Sequence, residues 1–363
     1  MAAERFSFRD PQRARRFARL LDCLAPDRPV RIVHVCGTHE ITIAEHGLRS
    51  LLPQQVEVLE GPGCPVCVTP TSDLDSALKL ANRGAVVCTF GDMLRVPGSE
   101  LSLAEARGQG ADVRTVLSAA DAVAIARREP AREVVFFAVG FETTAPGTAA
   151  VLLNSPPANF SVLAAHKLIP PALAALMELP GTEVDAFLAP GHVSTIIGSA
   201  AYQRVAARFA VPVVVGGFEP LDVLYALALI LRQLTAGRAE VENAYPRAVK
   251  PEGNSRARRL LSRAFQPADA RWRGIGTIPA SGLALRPQLA RWDAAERFGV
   301  AGELGEETAP GCRCADILVA RATPADCPLF GKTCTPLSPV GACMVGSEGA
   351  CNVWYRYGGR PKL

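Results

Sequence analysis

The chain has 363 residues, 49% hydrophobic and 20% charged, with a formal net charge of +4. That is enough apolar material for a sizeable core and enough length for two or three domains. It is too little positive charge for a nucleic-acid binder, since the densest basic run, Arg256, Arg258, Arg259 and Arg263, lacks interleaved aromatic residues and reads as a solvated helix face.

The first 17 residues carry charges where a targeting peptide has its apolar core, and a helix is predicted over residues 11–24. From about residue 30 to 235 one pattern repeats: a short apolar run rich in β-branched residues, a turn bearing Gly or Pro, then a helical stretch. Strands are predicted at 30–35, 56–60, 85–90, 112–117, 134–139, 160–165, 186–189 and 211–215, and helices at 41–51, 73–81, 119–128, 146–153, 170–178 and 220–234. Near-continuous apolar strands alternating with helices imply buried parallel sheets joined by right-handed crossovers. The polar segment at 129–133 suggests a boundary between two sheets of about four strands, one per half. The most apolar stretch, residues 223–231, is far shorter than the roughly 20 residues that cross a bilayer, so it reads as a buried helix and the chain as soluble and cytoplasmic.

After Gly237 the pattern stops. Residues 238–310 are charged and partly helical, with a β-like or loop segment near 274–285. The last 52 residues hold six of the 11 cysteines among many Pro and Gly, a composition suited to wrapping a metal centre rather than burying a core. The expected architecture is α/β: two parallel-sheet α/β domains, residues 1–130 and 131–237, facing a cleft, and a helical, Cys-rich domain at 238–363.

The reactive side chains gather just after the strands. Cys-Gly-Thr-His-Glu (36–40) follows the first, Gly-Pro-Gly-Cys-Pro-Val-Cys (61–67) the second and Gly-Asp-Met (91–93) the third. Gly-Phe-Glu-Thr-Thr-Ala-Pro (140–146) follows the fifth, His166-Lys167 the sixth, Pro-Gly-His-Val-Ser (190–194) the seventh and Gly-Gly-Phe-Glu-Pro (216–220) the eighth. In open α/β sheets ligands bind outside the carboxyl ends of the strands, so these loops are expected to line one cleft.

In a cytosolic chain thiols are kept reduced, so 11 cysteines point to metal or redox chemistry rather than structural disulfides. Cys36 sits between a strand and a helix, beside a glycine. There the helix N-terminus is expected to lower the thiol pKa and favour a thiolate, a nucleophile or soft metal ligand. Thr38 and His39 are placed to hydrogen-bond a ligand held on that sulfur. Cys64 and Cys67 form a C-x-x-C whose spacing suits a reversible disulfide, and finger-like zinc partners are missing nearby. Cys23 and Cys88 fall inside helix and strand patterns and read as core.

Glu142, Thr143 and Thr144 lie at a helix start, where a capping role and a functional one call for the same residues; His166 and His192 have the same standing. The cysteines at 312, 314, 327, 334, 343 and 351 exceed the four thiolates that an iron–sulfur cluster or a structural zinc takes; spacing alone leaves both open and does not select the four. No G-x-x-x-x-G-K-[ST] or G-x-G-x-x-G motif supports a nucleotide enzyme.

CGTHE at 36–40, EGPGCPVCV at 60–68, GFETTAPGTA at 140–149, APGHVSTIIG at 189–198 and DCPLFGKTCTPLSPVGACMVGSEGACNVWY at 326–355 resemble, in order and over nearly the whole chain, the HypD family of hydrogenase maturation factors. The resemblance implies two α/β domains and a third domain carrying a 4Fe–4S cluster. It implies a scaffold, formed with the small chaperone HypC, on which one iron acquires two cyanides and one carbon monoxide. Cyanide would come from HypE, charged by HypF, and the product would pass to the nickel–iron hydrogenase large subunit.

On the same ground the iron sits on Cys36 jointly with the N-terminal cysteine of HypC, and Cys64 and Cys67 are a redox dithiol. The cluster pattern C-x14-C-x6-C-x16-C falls on Cys312, Cys327, Cys334 and Cys351, with Cys343 as the substitute. Thr38, His39, Glu142, Thr144 and His192 are expected to orient the cyanides. A likeness of the C-terminal region to ferredoxin–thioredoxin reductase implies electron flow between cluster and thiols. The chain is expected to be a monomer on its own. Two other readings of the cysteines are a free-standing cluster-dependent thiol–disulfide reductase and a zinc-stabilised binding module.

Overall fold

The computed structural model describes residues 8–300 and 308–358; the parts of the N-terminal reading and of the third domain that fall on 1–7, 301–307 and 359–363 lie outside them. Its strands are β1 (Val30–His34), β2 (Val56–Glu60), β3 (Val86–Thr89), β4 (Val113–Thr115), β5 (Val134–Gly140), β6 (Phe160–His166), β7 (Ala186–Pro190), β8 (Val213–Gly216), β9 (Val241–Asn243), β10 (Phe265–Trp272) and β11 (Gly276–Leu285). The first nine form two parallel sheets, ordered β2-β1-β7-β8-β9 and β4-β3-β5-β6. β10 and β11 pair antiparallel, so the weak β-like segment near 274–285 is one arm of a hairpin.

Each of the eight expected strands overlaps an observed one, but the sheets do not divide the chain near 129–133. The chain leaves the first sheet after β2, builds the whole second sheet, and returns at β7, which pairs with β1 through Ile32 and Ala186. The physical reason lies at the free edge of β1. With β2 on one side only, its other edge would leave buried N–H and C=O groups unpaired, and β7, buried along its whole length, satisfies them. The parallel pattern also runs past Gly237, because β9 extends the sheet from β8.

Two further expectations change. The helix expected at 41–51 spans Gly37–Glu45 and gives way at Gly47, in the left-handed region at φ 59°, to a short 3-10 turn at Leu48–Leu51. The Cys-rich end buries more than its composition suggested: Ala342, Cys343, Met344 and Val345 share one core with Val33, Cys67 and Phe137. Cys88 is buried as expected, whereas Cys23 is exposed on the outer side of helix Pro11–Leu24. The apolar run 223–231 lies within helix Pro220–Thr235, packed with Leu21, Ile32 and Val58. Among the described residues no helix is long and apolar enough to cross a membrane.

One buried carboxylate ties the C-terminal helix Ala350–Tyr357 to the start of the fold. Glu40 accepts from Arg49 Nη1 and Nη2 at 2.8 and 2.7 Å, from His34 Nε2 at 2.7 Å and from Trp354 Nε1 at 2.7 Å. The Arg49 guanidinium also lies over the Trp354 ring, 5.2 Å from its centroid. Burial alone would raise the carboxyl pKa, but Arg49 and His34 outweigh it and hold Glu40 far below the usual carboxylate range. Glu40→Gln leaves Arg49 buried without its counter-charge, and should cost about 3–5 kcal/mol of stability. Urea unfolding checks this, and a midpoint equal to that of the unsubstituted chain contradicts it.

Candidate functional site

Cys36 follows β1 with an extended backbone and forms the N-cap of helix Gly37–Glu45. Two glycines press other segments against it. A Cβ on Gly63, in the loop after β2, would overlap the Cys36 backbone nitrogen, and one on Gly37 would overlap the Glu348 carbonyl. Three distant stretches therefore meet at one sulfur. They border a pocket of about 360 Å³ whose lining includes Cys36, Thr38, Pro65, Thr143, His192 and Glu348. Four of the seven expected loops contribute. The segments 91–93, 166–167 and 216–220 do not line it.

Burial dominates the electrostatics of the pocket. It pushes the Cys36 thiol up to about 12, helped by the charge of Glu348. The backbone N–H groups of His39 and Thr38 and the Thr38 hydroxyl pull the other way and lose. The expected lowering at a helix N-terminus is thus overturned: a few partial charges do not offset removal of the sulfur from water. Whatever binds this sulfur as a thiolate must first displace its proton.

Thr38 Oγ1 donates to Glu348 Oε1 at 2.8 Å on the pocket wall. His39 is not in the wall. Its Nε2–H donates to the Gly217 carbonyl at 3.0 Å, and burial, with His34 nearby, holds its pKa down at about 3. The Phe218 ring lies 5.0 Å from His39 and is stacked on His192 at 3.8 Å. His39 therefore supports, through Phe218, the histidine that does line the pocket. Partial burial lowers the His192 pKa, with Glu348 opposing.

The loop after β5 corrects one residue. Thr143 lines the pocket, while Thr144 turns back and donates to the Phe141 carbonyl at 3.2 Å. Gly140, at φ 149°, permits this, since a Cβ there would overlap Thr144 Oγ1. Glu142 is buried behind that rim. Its Oε1 accepts the Ile169 N–H at 3.0 Å, and its Oε2 has no partner among the described residues. Burial raises its pKa to about 7 against the N–H groups that stabilise the anion. His166 lies elsewhere, with Nε2 3.0 Å from the Thr148 hydroxyl.

Behind the pocket, Cys64 and Cys67 are joined as a disulfide, and both are buried. Cys67 Sγ lies 4.0 Å from the Ala342 carbonyl, at the start of the turn Ala342–Val345. Next in that turn, Cys343 interacts with Cys314, an interaction that lowers the Cys314 thiol pKa and raises that of Cys343.

Cys312, Cys327, Cys334 and Cys351 gather beyond this pair. The Cys351 thiol is pushed up first by burial and then by Cys314, Cys334, Cys312 and Cys327. The Val340 N–H donates to Cys334 Sγ at 3.3 Å, and a Cβ on Gly341 would come within 2.7 Å of Cys312 Sγ. Three buried thiols and the half-buried Cys312, with an N–H donor and a glycine cleared beside one sulfur, have the donor chemistry of a polynuclear iron–sulfur centre, which takes one thiolate per iron. Among the described residues no three His, Cys, Asp or Glu side chains converge on a single ion.

Sequence reasoning missed Glu348 and gave Cys314 no role. Glu348 had one signal, since it is the only carboxylate after Asp326. Cys314 had only its place among the cysteines.

Glu142 supplies a pH test. A carboxyl raised from 4.5 to about 7 keeps in the fold a proton that the unfolded chain releases, so stability falls as pH rises through that window. The stability of the unsubstituted chain relative to Glu142→Gln should therefore fall by on the order of 3 kcal/mol between those limits. Urea midpoints measured across the window check it, and a constant difference contradicts it.

The HypD family model, described as a hydrogenase formation hypA family, matches residues 12–358. A hydrogenase maturation factor HypD of Azotobacter vinelandii is 46% identical over 363 residues, covering 97% of this chain and 96% of the relative. HypD2 of Bradyrhizobium diazoefficiens and HypD of Cupriavidus necator are each 45% identical, again over 97% of this chain and 96% of their own. The chain belongs to the HypD family of hydrogenase maturation factors.

Proposed function

We propose that this chain holds one iron on Cys36 while two cyanides and one carbon monoxide are attached, and then delivers it to the large subunit of a nickel–iron hydrogenase. The observation that carries the reading is a single soft sulfur in a pocket lined with hydrogen-bonding side chains, backed by a buried disulfide and a group of four cysteines. Thiolate suits low-spin iron carrying strong-field ligands. One thiolate leaves the iron open, and the N-terminal cysteine of HypC is the second ligand in this reading. HypE, charged by HypF, supplies the cyanide.

The chain's own residues then have definite tasks. Cys36 gives up its proton when iron arrives, and Glu348 lines the same pocket, where its charge acts on Cys36. His192 offers a donor to a cyanide nitrogen from one wall, and Thr38, whose hydroxyl donates to Glu348, borders the other. Glu142 holds a proton behind the Thr143 rim at near-neutral pH. Closure of the two α/β units over the pocket keeps water and oxygen from the iron. Cys312, Cys327, Cys334 and Cys351 hold a 4Fe–4S cluster, which supplies single electrons. Cys314 also acts on the Cys351 thiol, and Ala342, the neighbour of Cys343, faces Cys67 Sγ with its carbonyl.

The test is infrared spectroscopy on the chain isolated without oxygen together with HypC. The unsubstituted chain should carry iron with carbon monoxide and cyanide stretching bands, and Cys36→Ala should lose both bands and iron. Bands that survive the substitution remove Cys36 as the iron ligand.

A further inference from the structure

The His192 side chain lines the Cys36 pocket, yet its ring makes no hydrogen bond among the described residues. Its backbone is fixed, because the Thr195 hydroxyl donates to the His192 carbonyl at 2.6 Å. The residue is exposed, so its side-chain torsions alone would let the ring swing between pocket and water. Such a ring makes a poor donor, since hydrogen bonds weaken steeply away from linearity. What holds it is Phe218, stacked at 3.8 Å between ring centroids with 24° between the planes.

Phe218 belongs to the Gly-Gly-Phe-Glu-Pro segment, which does not itself line the pocket. Room has been cleared for its ring. A Cβ on Gly191 would come within 3.0 Å of Tyr245 Cδ1 and 3.1 Å of Phe218 Cε2, and one on Gly217 within 2.6 Å of Tyr245 Cδ2. Neither glycine lies in the left-handed region, so it is space and not backbone angle that calls for glycine there. Tyr245 meets Phe218 edge-on, 6.0 Å away at 81°. The Arg247 guanidinium lies over the Tyr245 ring at 4.4 Å and over the Phe8 ring at 4.3 Å. Asp222, buried in helix Pro220–Thr235, fixes both arms of that guanidinium, Nη1 at 2.8 Å. Phe8 is anchored in turn: its carbonyl accepts the Leu221 N–H at 3.2 Å, and Arg9 donates to Glu219 at 2.7 Å. A single file thus runs from the N-terminal segment to the pocket: Phe8, Arg247, Tyr245, Phe218, His192.

We propose that Phe218, braced by Tyr245 and Arg247, is a positioning residue that keeps a His192 ring nitrogen aimed into the Cys36 pocket, toward the nitrogen of a small linear anion on the iron. This role rests on the reading of Cys36 as the iron ligand. Phe218 acts through His192 alone, because it does not border the pocket. Stacking should favour the aimed ring by about two- to tenfold, the range for an aromatic pair beyond its buried area. His39, whose ring lies 5.0 Å from Phe218 and whose Nε2–H is held by the Gly217 carbonyl, steadies the same ring from helix Gly37–Glu45. The N-terminal segment thereby takes part in the site without touching it.

Nuclear magnetic resonance of the full chain, with labelled histidine rings, reads the stack without any iron. The chain has five histidines, and His192→Ala assigns the signal. A ring stacked at 3.8 Å feels the ring current of its neighbour, so Phe218→Leu should move the His192 signal toward that of an unstacked imidazole. Tyr245→Ala should move it the same way, and Tyr245→Phe, which keeps the ring, should restore it. Phe8→Ala, at the outer end of the file, should give a smaller shift in the same direction, and it serves where Phe218→Leu does not fold. Infrared spectroscopy of the chain with HypC reads the ligand. His192→Ala should shift a cyanide band, and Phe218→Leu should shift the same band in the same direction while the iron content is kept.

A His192 signal unmoved in whichever of Phe218→Leu and Phe8→Ala folds would overturn the brace. A moved signal with unchanged cyanide bands would overturn the positioning role. Both results leave the iron reading intact. An unsubstituted chain that carries neither cyanide nor carbon monoxide bands would overturn the iron reading, and the positioning role with it.

Discussion

The architecture of the site depends on the buried Glu40 carboxylate. Taking a carboxylate out of water costs several kcal/mol, and the cost is offset only when every lone-pair direction is met. Here Arg49, His34 and Trp354 meet them from the 3-10 turn, from β1 and from the C-terminal helix. Because Trp354 belongs to the segment that also carries Glu348 and Cys351, this one anion fixes the Cys-rich end against the helix that begins at Cys36. Gly37 and Gly63 then allow backbone to approach backbone where any side chain would intrude. Glu40 never touches the pocket, yet it sets which residues border it.

Within that frame burial drives three ionisable groups at and behind the pocket toward their neutral forms. The Cys36 thiol, the His39 ring and the Glu142 carboxyl are all shifted that way, each mainly by loss of water. The pocket thus holds a protonated thiol beside Thr38, His192 and Glu348. A cation that displaces the Cys36 proton changes the charge at one point, where Thr38, His192 and Glu348 are placed to answer it. Belonging to a hydrogenase maturation family gives that arrangement its context.

Much of this was legible in the sequence, for identifiable reasons. Parallel strands buried on both faces leave apolar runs, so eight of them stood out, whereas Val241–Asn243 was too short and polar to do so. Which strands pair was not legible: β1 and β7 are equally apolar to a reader of one chain, and their pairing joins residues about 150 apart. Helix Gly37–Glu45 began four residues before its apolar pattern because GTHE carries no such pattern. At the site, residue types were readable and orientations were not. His39 looked like a ligand-facing residue and instead supports Phe218; Thr143 and Thr144 exchanged places. The thiol shift at Cys36 was misjudged because a helix N-terminus is visible locally, while burial and Glu348 arrive from the far end of the chain.

The central claim is a redox scaffold in which a thiol-bound cluster stands behind an iron-binding sulfur. Its most direct test is metal and sulfide analysis of the chain purified without oxygen, together with its visible spectrum. The account predicts about four irons and four sulfides per chain, with brown absorbance that dithionite bleaches. Zinc alone, in a colourless protein that iron and sulfide fail to convert, would contradict it and leave a zinc-stabilised binding module in its place.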